Sequence, residues 1–124
     1  MGVEDCITRW INLTQQISNT EDLLEKRLEE EKLTLKEFYV LYFLDKSENK
    51  RMRLQNLEQL VGLSQSAMSR MIVRMEQSSC CEYIKRTRCK KDGRGVCITL
   101  TEKGSVKLQQ VLPKVYDLLQ NTLY

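Results

Sequence analysis

Residues 63–76 read LSQSAMSRMIVRME, and their spacing decides the fold. Ser64 stands where a helix N-cap would stand, and the pattern predicts a helix from there to about Glu76. Ala67, Met68, Met71, Ile72 and Met75 recur at three- and four-residue steps and form one apolar stripe. Ser66, Ser69, Arg70 and Arg74 fall on the other side. Just upstream, a shorter helix is predicted from about Gln55 to Val61, with Leu57, Leu60 and Val61 turned inward. Gly62 follows it, at the left-handed position where a helix C-cap favours glycine. Two short helices are thus joined by a tight turn.

Downstream, Tyr83–Cys89 and Val96–Thr101 are strand-like, and KKDGRG at 90–95 between them carries the Asp-Gly turn signal. Val96, Ile98 and Leu100 alternate with Cys97 and Thr99, so one face of that strand is expected to be buried. Thr101 can cap a last helix, from about Glu102 to Leu123, with Pro113 inside it as an expected bend. On the other side, Thr34-Leu35-Lys36-Glu37 fits a capping box. Phe38, Val40, Leu41, Phe43 and Leu44 then make an almost all-round apolar helix, as a central core helix requires. Asp45–Lys50 is polar and reads as a loop. Residues from about 4 to 31 form a long amphipathic helix on Ile7, Trp10, Ile11, Ile17, Leu24 and Leu28, with Ser18-Asn19-Thr20 as a candidate break.

Composition narrows the function. The chain has 124 residues, 41% hydrophobic and 30% charged, which suits one globular domain over 1–124. No apolar run approaches the roughly 20 residues of a membrane span, so no membrane partner is expected. The acidic N-terminus has no signal-peptide pattern, and a cytoplasmic location is expected. Histidine is absent. This excludes the Ser-His-Asp and Cys-His nucleophile pairs, and no phosphate-cradling glycine motif occurs. An enzyme is therefore not expected, nor a metal or cofactor.

The net charge of +3 conceals a segregation. Residues 1–50 hold seven Lys/Arg against eleven Asp/Glu, whereas residues 51–100 hold ten against four. The basic middle suggests a polyanionic partner. The element order is helix, helix, short strand, helix, turn, helix, hairpin, helix. That is a winged helix-turn-helix layout, mainly α with a small β-hairpin wing. A B-DNA major groove admits one helix, and Gln65, Ser66, Ser69 and Arg70 offer it short or bidentate polar groups. Lys90, Lys91 and Arg94 at the hairpin tip suit phosphate or a narrow minor groove.

These strings resemble the MarR (multiple antibiotic resistance regulator) family of winged-helix transcription regulators. The resemblance is carried in register by LTLKEFYVLYFL at 33–44, LSQSAMSRMIVRME at 63–76, DGRG at 92–95 and LTEKG at 100–104. It implies that residues 64–77 are the recognition helix and that Arg74 approaches the DNA backbone from its end. It implies that Asp92 holds the wing arginines while Arg94 enters the minor groove, and that Arg86 and Arg88 lie on the strand that approaches phosphates. It also implies a two-fold homodimer through the first and last helices.

The apolar stripes agree with such a dimer. Ile7, Trp10, Ile11 and Ile17, with Val115, Leu118 and Leu119, exceed what one small domain easily covers. The expected division is 1–32 for the N-terminal dimerisation helix, 33–101 for the winged helix-turn-helix and 102–124 for the C-terminal dimerisation helix. Only about 20 residues follow Gly104, fewer than the family usually has after the wing.

The expected function is sequence-specific binding of double-stranded operator DNA as a homodimer on a pseudo-palindrome, as a repressor answering to a small-molecule effector or stress. The alternative is a winged-helix module that binds protein instead of DNA. The five cysteines leave a second question open. In some members of the resembled family a first-helix cysteine senses oxidants, which makes Cys6 a redox candidate. Cys89, beside Arg88 and Lys90, is another and is expected to be more exposed than a core residue. Cys89 and Cys97 flank the wing turn and could pair reversibly across the hairpin. Cys80 and Cys81 could join them in a thiolate site. The plainer reading is reduced thiols packed as small hydrophobes.

Overall fold

The computed structural model describes residues 2–77, 82–89 and 95–123. Among them the chain forms α1 (Val3–Glu29), α2 (Leu35–Lys46), β1 (Arg51–Arg53), α3 (Leu54–Val61), α4 (Gln65–Gln77), β2 (Ile84–Arg88), β3 (Val96–Leu100) and α5 (Glu102–Leu123). A short 3-10 turn, Glu48–Lys50, precedes β1. Helix, sheet and hairpin stand in the order that the spacing predicts, and the architecture is the winged helix. Two compact units divide the chain: Lys36–Val111, and Met1–Leu35 with Leu112–Tyr124.

In the central unit, Phe38, Val40, Leu41 and Leu44 of α2 are buried, the last three wholly, while Tyr42 is exposed. Leu57 and Val61 of α3 and Met68, Met71, Ile72 and Met75 of α4 complete the helical core. Burying one such side chain is worth about 1.5–3 kcal/mol. The sheet has the order β1-β3-β2 and is antiparallel throughout. Ile84 pairs with Leu100 and Arg86 with Ile98, so Ile84, Ile98 and Leu100 share a face, and all three are buried.

Three expectations change in detail. Leu60 is not turned inward but is half exposed at 51%. Its eight-residue helix buries the stripe through Leu57 and Val61, four residues apart, and Leu60 lies at the edge of that stripe. The polar loop begins later than expected, because α2 continues through Asp45 to Lys46. There Ser47 ends it, its hydroxyl donating to the Phe43 carbonyl at 2.7 Å and its N–H to the Leu44 carbonyl at 3.1 Å. On β3, Cys97 is buried as well as Ile98 and Leu100, so burial is not confined to one face.

Thr101 opens α5 by accepting the Gly104 N–H at 3.1 Å, while its own N–H donates to the Tyr83 carbonyl at 3.0 Å. That second bond draws the strand entering β2 against the helix start. A Cβ at Gly104 would collide with the Tyr83 carbonyl oxygen and come within 2.7 Å of the Leu100 Cδ1. Only glycine leaves room for the approach. Pro113 lies inside α5, which is continuous across it.

In the terminal unit, α1 is one uninterrupted helix. Ser18-Asn19-Thr20 does not break it, because the Thr20 hydroxyl turns back to the Gln16 carbonyl at 2.8 Å instead of capping a new turn. Thr20, Leu24, Leu28, Leu33, Leu35 and Val115 are the buried residues here. The Glu25 carboxylate accepts the Leu35 N–H at 3.1 Å, and Lys114 pairs with Glu31. Among the described residues no helix is long and apolar enough to cross a membrane.

Candidate nucleic-acid interface

The turn between α3 and α4 is fixed from both ends. Gly62 takes the left-handed conformation, φ 81° and ψ 28°, and its N–H donates to the Glu58 carbonyl at 2.9 Å. Lys36 of α2 reaches the next free carbonyl of that helix end, Val61, at 3.0 Å. A cation at a helix C-terminus also answers the helix dipole. Two residues on, the Ser64 hydroxyl accepts the Ala67 N–H at 3.2 Å and starts α4.

With Met68, Met71, Ile72 and Met75 buried, the opposite face of α4 is forced outward. Gln65, Ser66, Ser69, Arg70 and Arg74 are all exposed there. The sequence reading missed one member of this face. Val73, 39% exposed, stands four residues after Ser69 and three after Arg70, close to the centre line of the polar side. It hid inside the apolar string Met-Ile-Val; counting 100° per residue from the buried methionines would have found it.

The β2 strand supplies the neighbouring charge. Ile84, Arg86 and Arg88 share one side of the strand, and both arginines are exposed. Arg86 is already engaged: its guanidinium lies 2.9 Å from the Glu76 carboxylate near the end of α4. Glu76 was given no role from sequence, yet it ties the recognition-type helix to the wing strand. Both side chains are partly exposed, so the pair positions more than it stabilises. An open groove of about 340 Å³ lies between α3, the start of α4 and the base of the wing, lined by Arg53, Leu54, Gln55, Glu58, Gln65, Gly95 and Val96.

The remaining predicted residues divide. Lys90, Lys91, Asp92 and Arg94 lie outside the described residues, as do Cys80 and Cys81. Ile7, Trp10, Ile11 and Ile17 are exposed on α1. On α5, Val115 is buried within the chain, while Leu118 and Leu119 are half-buried. Cys6 is a free, exposed thiol. Cys89, expected to be the more exposed kind, is 4% exposed and disulfide-bonded to Cys97, with Cα atoms 5.3 Å apart. It stands just past Arg88, and its sulfur is bonded to that of Cys97. No group of three or more His, Cys, Asp or Glu side chains able to hold a metal ion occurs among the described residues.

Comparison with known proteins agrees with this geometry. No curated protein matches the chain in sequence. Among solved structures, AbsC, a MarR family transcriptional regulator from Streptomyces coelicolor, superposes with a TM-score of 0.86 at 29% identity over 98% of this chain and 79% of that one. Sco3205, a MarR family transcriptional regulator from the same organism whose structure is a complex with DNA, gives 0.85 at 22% identity over 98% and 74%. The model of the family described as transcriptional regulator SarA/Rot matches residues 22–111, which span the whole helix-turn-helix and both wing strands. The chain therefore belongs to the SarA/Rot family of transcriptional regulators, on the MarR-type winged-helix fold.

Proposed function

We propose that this regulator binds double-stranded operator DNA sequence-specifically, as a homodimer on a pseudo-palindromic site, and represses transcription there. The observation that carries the reading is the outward polar face of α4, where Gln65, Ser66, Ser69 and Arg70 stand opposite four buried side chains. Arg70 and Gln65 have the donors for bidentate base contacts, and the serines suit bases or phosphates. Arg74, Arg86 and Arg88 serve the backbone. In this reading Lys90, Lys91 and Arg94 serve phosphates or the minor groove, and Asp92 holds the wing arginines.

Dimerisation through Ile7, Trp10, Ile11 and Ile17, with Val115, Leu118 and Leu119 behind the seam, would set two recognition helices about 34–36 Å apart, one helical turn of DNA. Residues 1–124 act as one domain in this reading: 1–32 and 102–124 dimerise and 33–101 binds DNA. The protein works in the cytoplasm without a cofactor or a catalytic step, and a small-molecule effector or thiol chemistry at Cys6 or Cys89 sets its affinity.

Selection of genomic fragments on the purified protein tests this. A recurrent inverted repeat, bound with an affinity that falls steeply with salt, is the expected result. Retention of no fragment above background, or binding indifferent to salt, would overturn it and favour a protein-binding winged helix.

A further inference from the structure

We infer that Cys89 and Cys97 form a thiol–disulfide switch at the base of the wing, which tightens DNA binding when it closes. The inference rests on the DNA-binding reading above. The two cysteines sit where the β2–β3 ladder runs out. The last strand pair is Arg88 with Val96, and Cys97 itself faces Thr87, so the bond runs diagonally past the end of the ladder. Beyond it, the Cys89 N–H reaches the Gly95 carbonyl only at 3.5 Å, a weak bond. The disulfide is thus the firm closure at this level. It makes one covalent ring of residues 89–97, which holds Lys90, Lys91 and Arg94.

Two further observations bear on reversal of the bond in place. Although both cysteines are buried, they line an open groove of about 270 Å³ together with Glu48, Asn49, Arg51, Met52 and Arg53. A small oxidant or thiol therefore has a route to the sulfurs. The Thr87 hydroxyl, opposite Cys97, is buried with no hydrogen-bond partner. A buried polar group without a partner costs free energy. Opening the bond would give, on the residue paired with Thr87, a thiol able to exchange a hydrogen bond with that hydroxyl.

The oxidant is a hydroperoxide. One thiolate sulfur attacks its O–O bond, becoming a sulfenic acid and releasing water (or an alcohol). The second thiolate displaces the sulfenic oxygen, which leaves as water once protonated, and the S–S bond forms. In total, two thiols lose two electrons and two protons, and the peroxide takes them. A small thiol reverses the change by two exchanges and is itself oxidised to its disulfide. Closure ties the end of β2, with its exposed Arg88, to β3 and removes freedom that this strand end would lose on docking, so the oxidised form binds DNA more tightly, by about five- to tenfold.

The test uses the full chain carrying Cys6→Ser, Cys80→Ser and Cys81→Ser, alongside the natural chain. Each is treated with hydrogen peroxide or dithiothreitol, then titrated against a fragment that the natural chain retains, and the peptide holding both cysteines is weighed. The expected result is a loss of two hydrogen masses from that peptide, with the gain in affinity reversed by dithiothreitol. Cys97→Ser, or Cys97→Ala if serine does not fold, should lose the difference. Absence of the mass loss, equal affinity of both forms, or a difference that survives in Cys97→Ser each overturns the switch and leaves the DNA reading intact. If neither form binds any fragment, the DNA reading fails and takes the switch with it.

Discussion

α4 and α1 are both amphipathic, yet their apolar faces end in different surroundings. On α4, Met68 and Ile72 are wholly inaccessible and Met71 and Met75 nearly so. On α1, burial is confined to Thr20, Leu24 and Leu28, while Ile7, Trp10, Ile11 and Ile17 remain exposed, Trp10 at 66%. Periodicity says that a helix has an apolar face. Whether the cover comes from the same chain depends on what short connections bring near it. α4 follows α3 after a three-residue turn and meets β2, whereas the first two-thirds of α1 has no such neighbour among the described residues. An apolar stripe left open in this way marks an interaction surface.

Truncating the same kind of side chain on the two helices should have very different effects on stability. Met68→Ala is expected to destabilise the fold by about 2–5 kcal/mol, because it opens a cavity in a closed core. Denaturant unfolding of the dilute protein reads this directly. Ile11→Ala, at a site already solvated, should change the same measurement by less than about 0.5 kcal/mol. Equal losses would mean that α1 is covered within one chain after all.

Trp10→Asp tests where the cover of α1 comes from. A charge in the middle of the stripe should raise the dimer dissociation constant at least about a hundredfold, or about 2.8 kcal/mol. Sedimentation at micromolar concentration would show a monomer for the variant and a dimer for the natural chain. If both sediment alike, the stripe is not the seam.

The same contrast explains what the sequence could reveal. Elements with local causes were legible: the Gly62 turn, the Ser64 and Thr101 caps and the methionine stripe of α4 each depend on residues within one or two turns. Thr20 misled because the same hydroxyl can cap a helix or bond back four residues, and only the surrounding burial decides. Leu60 misled because an eight-residue helix has a narrow buried stripe. The Glu76–Arg86 tie and the seating of Gly104 under the Tyr83 carbonyl were not legible, since both join residues that only the folded sheet brings together. The wing residues Lys90, Lys91 and Arg94 were named from their charge beside a turn signal, and Asp92 through the resemblance; all four lie outside the described residues.

On the polar face itself, Arg70→Ala should cost about 1–3 kcal/mol, and only against particular base pairs. Binding curves on a set of singly substituted operators would show discrimination lost at one position. A uniform loss with a reduced salt slope would instead make Arg70 a phosphate contact, the role proposed for Arg74.

Val73 offers the finest test, because it is the apolar residue on the face that is otherwise polar. In a major groove the apolar feature of a base pair is the thymine methyl group, and a valine surrounded by Ser66, Ser69 and Arg70 is placed to meet it. Valine is also a poorer helix former than alanine, so its presence at an exposed position is not explained by local propensity. Replacing thymines in the operator one at a time by deoxyuridine removes the methyl and nothing else. The natural chain should lose about 0.8 kcal/mol at one thymine per half-site, the worth of one buried methyl-sized group. Val73→Ala should lose that sensitivity while keeping its response to changes at the Arg70 position. If every deoxyuridine is tolerated by the natural chain, Val73 faces the groove without reading it, and the specificity of α4 rests on its polar side chains alone.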